Sequence, residues 1–97
     1  MEILNSQNFD EKISTGTVIV KFFANWCGPC RLIQPKFVSW ANEHSEVKCF
    51  EVDCDASPDI VARYSVKGIP AFGVFIDGVF QSLNTKVREF DSLIKKD

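Results

Sequence analysis

The chain has 97 residues, 45% of them hydrophobic and 12% aromatic, and a formal net charge of −2. That length predicts one domain, residues 1–97, with a single core of the size that buries about 60–65% of the surface its unfolded chain exposes. A slightly acidic, evenly mixed charge lacks the basic footprint of a nucleic-acid binder, and the longest apolar runs, such as Val18-Ile19-Val20, are far too short to cross a bilayer.

The opening Met1-Glu2-Ile3-Leu4-Asn5 has neither the basic start nor the apolar stretch of a signal peptide, so the cytosol is the expected compartment. Ile3-Leu4 reads as a short first strand. Asn5 and Ser6 offer helix N-caps, Phe9 and Ile13 sit four apart as on one helical face, and Gly16 closes that helix. Thr17 to Ala24 is β-branched, aromatic and almost continuously apolar, the pattern of a central strand buried on both faces. A long helix is predicted from near Cys27 to about His44, with Leu32, Ile33, Phe37 and Trp40 at helical spacing and a kink at Pro35. Val47 to Asp53 reads as another strand. Ser57-Pro58, an N-cap followed by proline, opens a short helix to about Tyr64. After Gly68-Ile69-Pro70, Ala71 to Ile76 is a strand, Asp77-Gly78 a hairpin turn, and Val79 to Leu83 the returning strand. Val87, Phe90, Leu93 and Ile94 give a last helix its apolar stripe, and Lys95 and Lys96 complement its C-terminal dipole. The order β-α-β-α-β-α-β-β-α predicts an α/β fold. A central mixed sheet of about five strands is flanked by four helices, with parallel crossovers first and an antiparallel hairpin last.

Four cysteines in a chain with no visible secretion signal do not suggest a disulfide framework. Their spacing is uneven: Cys27-x-x-Cys30, then Cys49 and Cys54. Trp26-Cys27-Gly28-Pro29-Cys30 stands where a buried strand hands over to a helix. The unpaired N–H groups and positive dipole end of that first turn stabilise a thiolate, so the Cys27 pKa is expected below the free-thiol value of about 8.5. Three residues apart on a helix, two Cβ atoms lie about 5–6 Å apart, and a small movement brings them to the roughly 3.5–4.5 Å of a disulfide. Pro29 stiffens the turn and Gly28 leaves the approach to it clear. The pair is a candidate for two-step exchange, in which Cys27 attacks a target disulfide and Cys30 resolves the mixed disulfide.

Other readings compete: half of a zinc site completed by Cys49 and Cys54, two inert core thiols, or a structural disulfide. Against zinc, Cys49 falls inside a strand and Cys54 at its end, and a spacing of five points them to opposite faces. Cys49 reads as a small buried hydrophobe and Cys54 as a partly exposed thiol. His44, the only histidine, falls at the far end of the long helix as a surface residue.

With WCGPC on a strand-to-helix turn and Ile-Pro before a later strand, the chain resembles the thioredoxins over nearly its whole length. The resemblance implies a thioredoxin fold and reduction of protein disulfides without a bound cofactor, the Cys27–Cys30 pair being itself the redox group. It implies that Cys27 is the nucleophile and Cys30 the buried resolving thiol. It also implies a cis peptide at Ile69-Pro70 facing the disulfide, and a substrate-binding face of Trp26, Ile69 and Pro70 whose backbone pairs with an extended target segment. The family further implies a cytoplasmic monomer. Thioredoxin reductase would supply its electrons, and disulfide-containing proteins such as ribonucleotide reductase, peroxiredoxins or methionine sulfoxide reductases would receive them. Gly28-Pro29 favours the reducing branch of the fold, since related oxidases and isomerases often carry a His between the cysteines. An oxidase or isomerase of the same fold, and a non-catalytic module that docks partners around Trp26 and Pro70, are the competing readings.

Two departures from the family matter. Six residues before the attacking cysteine the family usually holds a buried Asp that accepts the resolving thiol's proton; here that residue is Lys21. On the next strand, where many members have Lys, this chain aligns Glu51. The charge pair is reversed, and Lys21 and Glu51 join Gly28 and Pro29 as modulating residues. Either Lys21 pairs with Glu51, with Glu51 or a water handling the Cys30 proton, or Lys21 snorkels to the surface. The second departure is the loop Leu83-Asn84-Thr85-Lys86, which is short and lacks the family's Gly. Ala71 also replaces the Thr that commonly follows the cis-proline.

Overall fold

The strands are β1 (Ile3–Leu4), β2 (Thr17–Phe23), β3 (Lys48–Asp53), β4 (Ala71–Ile76) and β5 (Val79–Asn84), in a computed structural model that describes residues 1–91. They form one sheet in the order β1-β3-β2-β4-β5. β3 is parallel to both β1 and β2, whereas β4 is antiparallel to β2 and to β5. Helices α1 (Phe9–Lys12), α2 (Gly28–Glu43) and α3 (Pro58–Arg63) connect the strands. The mixed sheet is the one the element order predicts.

The apolar run of β2 is central because both of its faces are covered. Val18, Val20 and Phe22 alternate onto one side with Phe9, Val52, Ile60 and Phe75, while Ile19 faces the other with Phe37, Trp40, Phe72 and Phe90. Each fully buried aliphatic or Phe side chain contributes about 1.5–3 kcal/mol relative to exposure. On the α2 side the rings of Phe37, Phe72 and Phe90 meet edge-to-face, with centroids 5.0 to 6.0 Å apart.

Local chemistry shapes the elements in several places. Helix α1 is one turn long, and its N-cap is Asn8 rather than Asn5 or Ser6. The Asn5 side chain instead accepts from the N–H groups of Gln7 and Asn8 at 2.9 and 3.0 Å, closing a turn ahead of the helix. Helix α2 continues without a break through Pro35. Asp77 and Gly78 both take positive φ, 49° and 83°, as a two-residue turn with the twist of a hairpin requires. A register shift between Val74 and Phe75 carries β5 through Asn84, one residue beyond the expected end, so Thr85 and Lys86 alone precede the 3-10 turn Val87–Glu89. Phe90 after it is helical, and Val87 and Phe90 are buried as the expected stripe requires. Leu93, Ile94, Lys95 and Lys96 lie outside the described residues.

His44 is a correction. It stacks on Trp40 with centroids 3.9 Å apart, its Nδ1 lies 2.8 Å from the Trp40 carbonyl oxygen, and its Nε2 lies 3.2 Å from Asp91 Oδ1. The end of α2 is thereby joined to the last turns of the chain through a half-buried ring.

Candidate active site

Residues 24–30 form the junction between β2 and α2. Cys27 is the N-cap of α2, in extended backbone conformation (φ −87°, ψ 105°), and its Sγ accepts a hydrogen bond from the Cys30 N–H at 3.2 Å. A sulfur thus takes the place that a Ser or Asp oxygen takes at other helix starts. Cys27 and Cys30 form a disulfide across a Cα–Cα distance of 5.3 Å, within the normal range. Proline is accommodated in the first turn of α2, and nothing stands within 4 Å of the point a Cβ on Gly28 would occupy.

The two cysteines pack with Ala24, and Phe23 and Ile69 close around them. Cys27 retains 4% of its surface and Cys30 2%, so the oxidised pair is reached through a narrow window. The Ile69–Pro70 peptide is cis. Trp26 is 69% exposed, which excludes plain core packing, and its Nε1 donates to Asp55 Oδ2 at 3.0 Å. Leu32, one turn into α2, is 83% exposed. Two open grooves meet at Pro70 and Thr85. One, of about 460 Å³, runs from Lys67 past Ile69, Pro70 and Leu83 to Thr85. The other, of about 330 Å³, is lined by Pro29, Leu32, Lys36, Pro70 and Thr85. Each contributes a lysine, and among the described residues no carboxylate lines either one.

On the side of Cys30 away from Ile69, strand alternation turns Lys21 and Glu51 onto the α2 face, where they are register partners on β2 and β3. Lys21 is 3% exposed, which overturns snorkelling. Its Nζ donates to the Cys30 carbonyl oxygen at 2.8 Å and to Gln34 Oε1, and lies 3.8 Å from Glu51 Oε2. Burial pushes the Lys21 pKa below its usual range, while the Glu51 carboxylate pulls it back up. Gln34 was not singled out from sequence. Its signal was the spacing of four from Cys30, which puts both on one helix face. Nothing local marked Asp55 as the partner of Trp26.

Cys49 packs with the α2-side core and Cys54 with the opposite one, so the four sulfurs do not converge on one point as zinc would need. Burial pushes the Cys49 thiol up to about 12. Cys54 is raised by burial and then by the flanking Asp53 and Asp55. Among the described residues no helix is long and apolar enough to cross a membrane.

The model of the Thioredoxin family matches residues 1–96. The chain belongs to the thioredoxin family. The thioredoxin of Chlamydia trachomatis serovar D is 37% identical to it over 95 residues, covering 98% of this chain and 93% of that one. The thioredoxin of Chlamydia pneumoniae is 37% identical over 99 residues, covering 99% and 97%. Among solved structures, Fasciola hepatica thioredoxin superposes with a TM-score of 0.85 at 33% identity, covering 98% of this chain and all of that one. Oxidised mitochondrial thioredoxin 3 of Saccharomyces cerevisiae gives 0.89 at 26% identity, covering 97% and 92%. The sheet and its helices are thus a thioredoxin fold. With the Cys27–Cys30 pair at the head of α2, the chain is a thiol–disulfide oxidoreductase that reduces disulfides by dithiol exchange. Membership of the thioredoxin family implies disulfide-containing targets and a reductase partner in general terms.

Proposed function

We propose that Cys27 is the attacking thiol and Cys30 the resolving one in the reduction of protein disulfides. The observation that carries the assignment is the capping geometry: Cys27 Sγ accepts the Cys30 N–H at the positive end of α2, where a thiolate is stabilised. The Cys27 thiolate attacks one sulfur of a target disulfide, the S–S bond breaks, and one target thiolate leaves. Cys30 then loses its proton to Glu51 or to a water in the adjoining groove. Its thiolate attacks Cys27 Sγ, releasing the second target thiolate and forming the Cys27–Cys30 disulfide. Two electrons pass to the target, and the pair serves as the redox group with no further cofactor.

Trp26, Ile69 and Pro70 form the face that receives the target, whose extended segment pairs with the backbone at Ile69-Pro70. The exposure of Trp26 and the grooves meeting at Pro70 support this reading. Electrons return from a thioredoxin reductase, and the chain works as a cytoplasmic monomer. The test is a trap. Cys30→Ser is expected to accumulate covalent mixed disulfides at Cys27 on gels run without reductant, and Cys27→Ser to accumulate none. Equal trapping by Cys27→Ser would overturn the assignment of roles.

A further inference from the structure

The Lys21–Glu51 pair has a direction. The Lys21 ammonium has three N–H groups and three acceptors around it: the Cys30 carbonyl, Gln34 Oε1 and the Glu51 carboxylate. It meets Cys30 at the backbone carbonyl oxygen, 2.8 Å away. Glu51 stands one strand further out, since the order β3-β2-β4 puts Ala24 at the end of β2 and Ile69 before β4 around the cysteines, away from β3. Neighbouring strands are spaced about 4.8 Å apart. The positive end of the pair is therefore the end that lies against the start of α2. Burial of both side chains, 3% and 11% exposed, weakens screening of the effect by solvent. Arg31 and Asp53 line the same groove of about 490 Å³ and are the other charged groups facing the pair.

We propose that the Lys21–Glu51 pair sets the redox poise of the active site: its cationic end, held against Cys30, favours the reduced state and makes the Cys27–Cys30 disulfide easier to reduce than the same fold with the pair reversed. The physical reason is that the disulfide carries no charge, whereas the dithiol readily becomes a thiolate. Stabilising that anion stabilises the reduced form, which makes a stronger oxidant. The proposal rests on Cys27 and Cys30 being the exchanging pair.

The experiment is equilibration of the full chain with glutathione. Two glutathione thiols are oxidised to one glutathione disulfide, and the Cys27–Cys30 bond becomes two thiols. Two electrons and two protons move, and the thiolate that the pair would stabilise is that of Cys27. The key variant is the reversal Lys21→Glu with Glu51→Lys, which keeps net charge and pairing and inverts the direction. The wild type is expected to oxidise glutathione about tenfold more readily than the reversed protein, a difference of about 30 mV for a two-electron couple. The neutral pair Lys21→Met with Glu51→Gln is expected between them, and the order should survive about 1 M salt. The thiolate absorbance of reduced Cys27 is expected to titrate at higher pH in the reversed protein, a change that a purely structural role would not produce. If the reversed protein does not fold, the neutral pair decides alone. Equal constants in the wild type and the folded variants, or a shift the other way, overturn the proposal. A wild type that exchanges nothing with glutathione overturns the Cys27–Cys30 reading beneath it.

Discussion

Cys27 and Cys30 share a chain with Cys49 and Cys54 and share almost nothing else. The first pair sits at the head of a sixteen-residue helix, between Trp26 and the Ile69–Pro70 peptide, with the Cys30 N–H directed at the Cys27 sulfur. Cys49 lies in the α2-side core on β3, where burial pushes its pKa to about 12. Cys54 follows the same strand, where burial and then two flanking carboxylates oppose ionisation. All four are at least partly buried, so exposure does not separate them. The lesson is that a thiol becomes a nucleophile through the charge environment of its anion.

Thiol labelling sharpens that comparison most. In reduced protein at about pH 7, iodoacetamide is expected to modify Cys27 at least about 1000-fold faster than Cys49. A thiol with a pKa of about 12 has roughly one thiolate in 100,000 molecules at that pH. Labelling of Cys49 should rise about tenfold per pH unit through the alkaline range, read by mass spectrometry of digests. Rapid labelling of Cys49 at neutral pH would erase the distinction.

A stability measurement probes the same site from beneath. Lys21→Met leaves Glu51 buried without its cation and is expected to cost about 2–3 kcal/mol in urea unfolding. Lys21→Met with Glu51→Gln is expected to cost less than the single change. Because burial lowers the Lys21 pKa, the folded chain binds fewer protons than the unfolded chain between the lowered value and the ordinary 10.5. Stability contributed by Lys21 therefore rises with pH across that window and is smallest below it. The balance between wild type and the double variant should move toward the wild type as the pH rises toward the ordinary 10.5. A double variant weaker than the single one would show that the pair is not a unit.

The smallest effect concerns target choice. Lys36 and Lys67 line the two grooves that meet at Pro70 in a chain of net charge −2. Lys36→Glu with Lys67→Glu is expected to slow reduction of a peptide disulfide with acidic flanks by about three- to tenfold and to spare one with neutral flanks. The contrast should fade at high salt. Equal slowing of both peptides would mean that the lysines act on the fold rather than on the target.

Much of this was legible before any coordinates. The alternation and caps of β2, α2 and the Asp77-Gly78 hairpin are short-range patterns, and the structure follows them within a residue or two. The weaker readings lay where two local choices compete. At Asn5 a side chain can cap a helix or close a turn, and it closes the turn. At the far end of α2, the single histidine reads as a surface residue until Trp40 and Asp91 are seen beside it.

What the sequence determined by itself is the order of elements and the placing of two cysteines at a strand-to-helix junction, because periodicity and capping act over a few residues. The tertiary structure alone decided that Lys21 is buried against the Cys30 carbonyl rather than snorkelling, and that Trp26 leans on Asp55. Those outcomes depend on which strand lies beside which and on the direction in which each face looks. Alternation along one strand names a face, but only the assembled sheet supplies what stands against it.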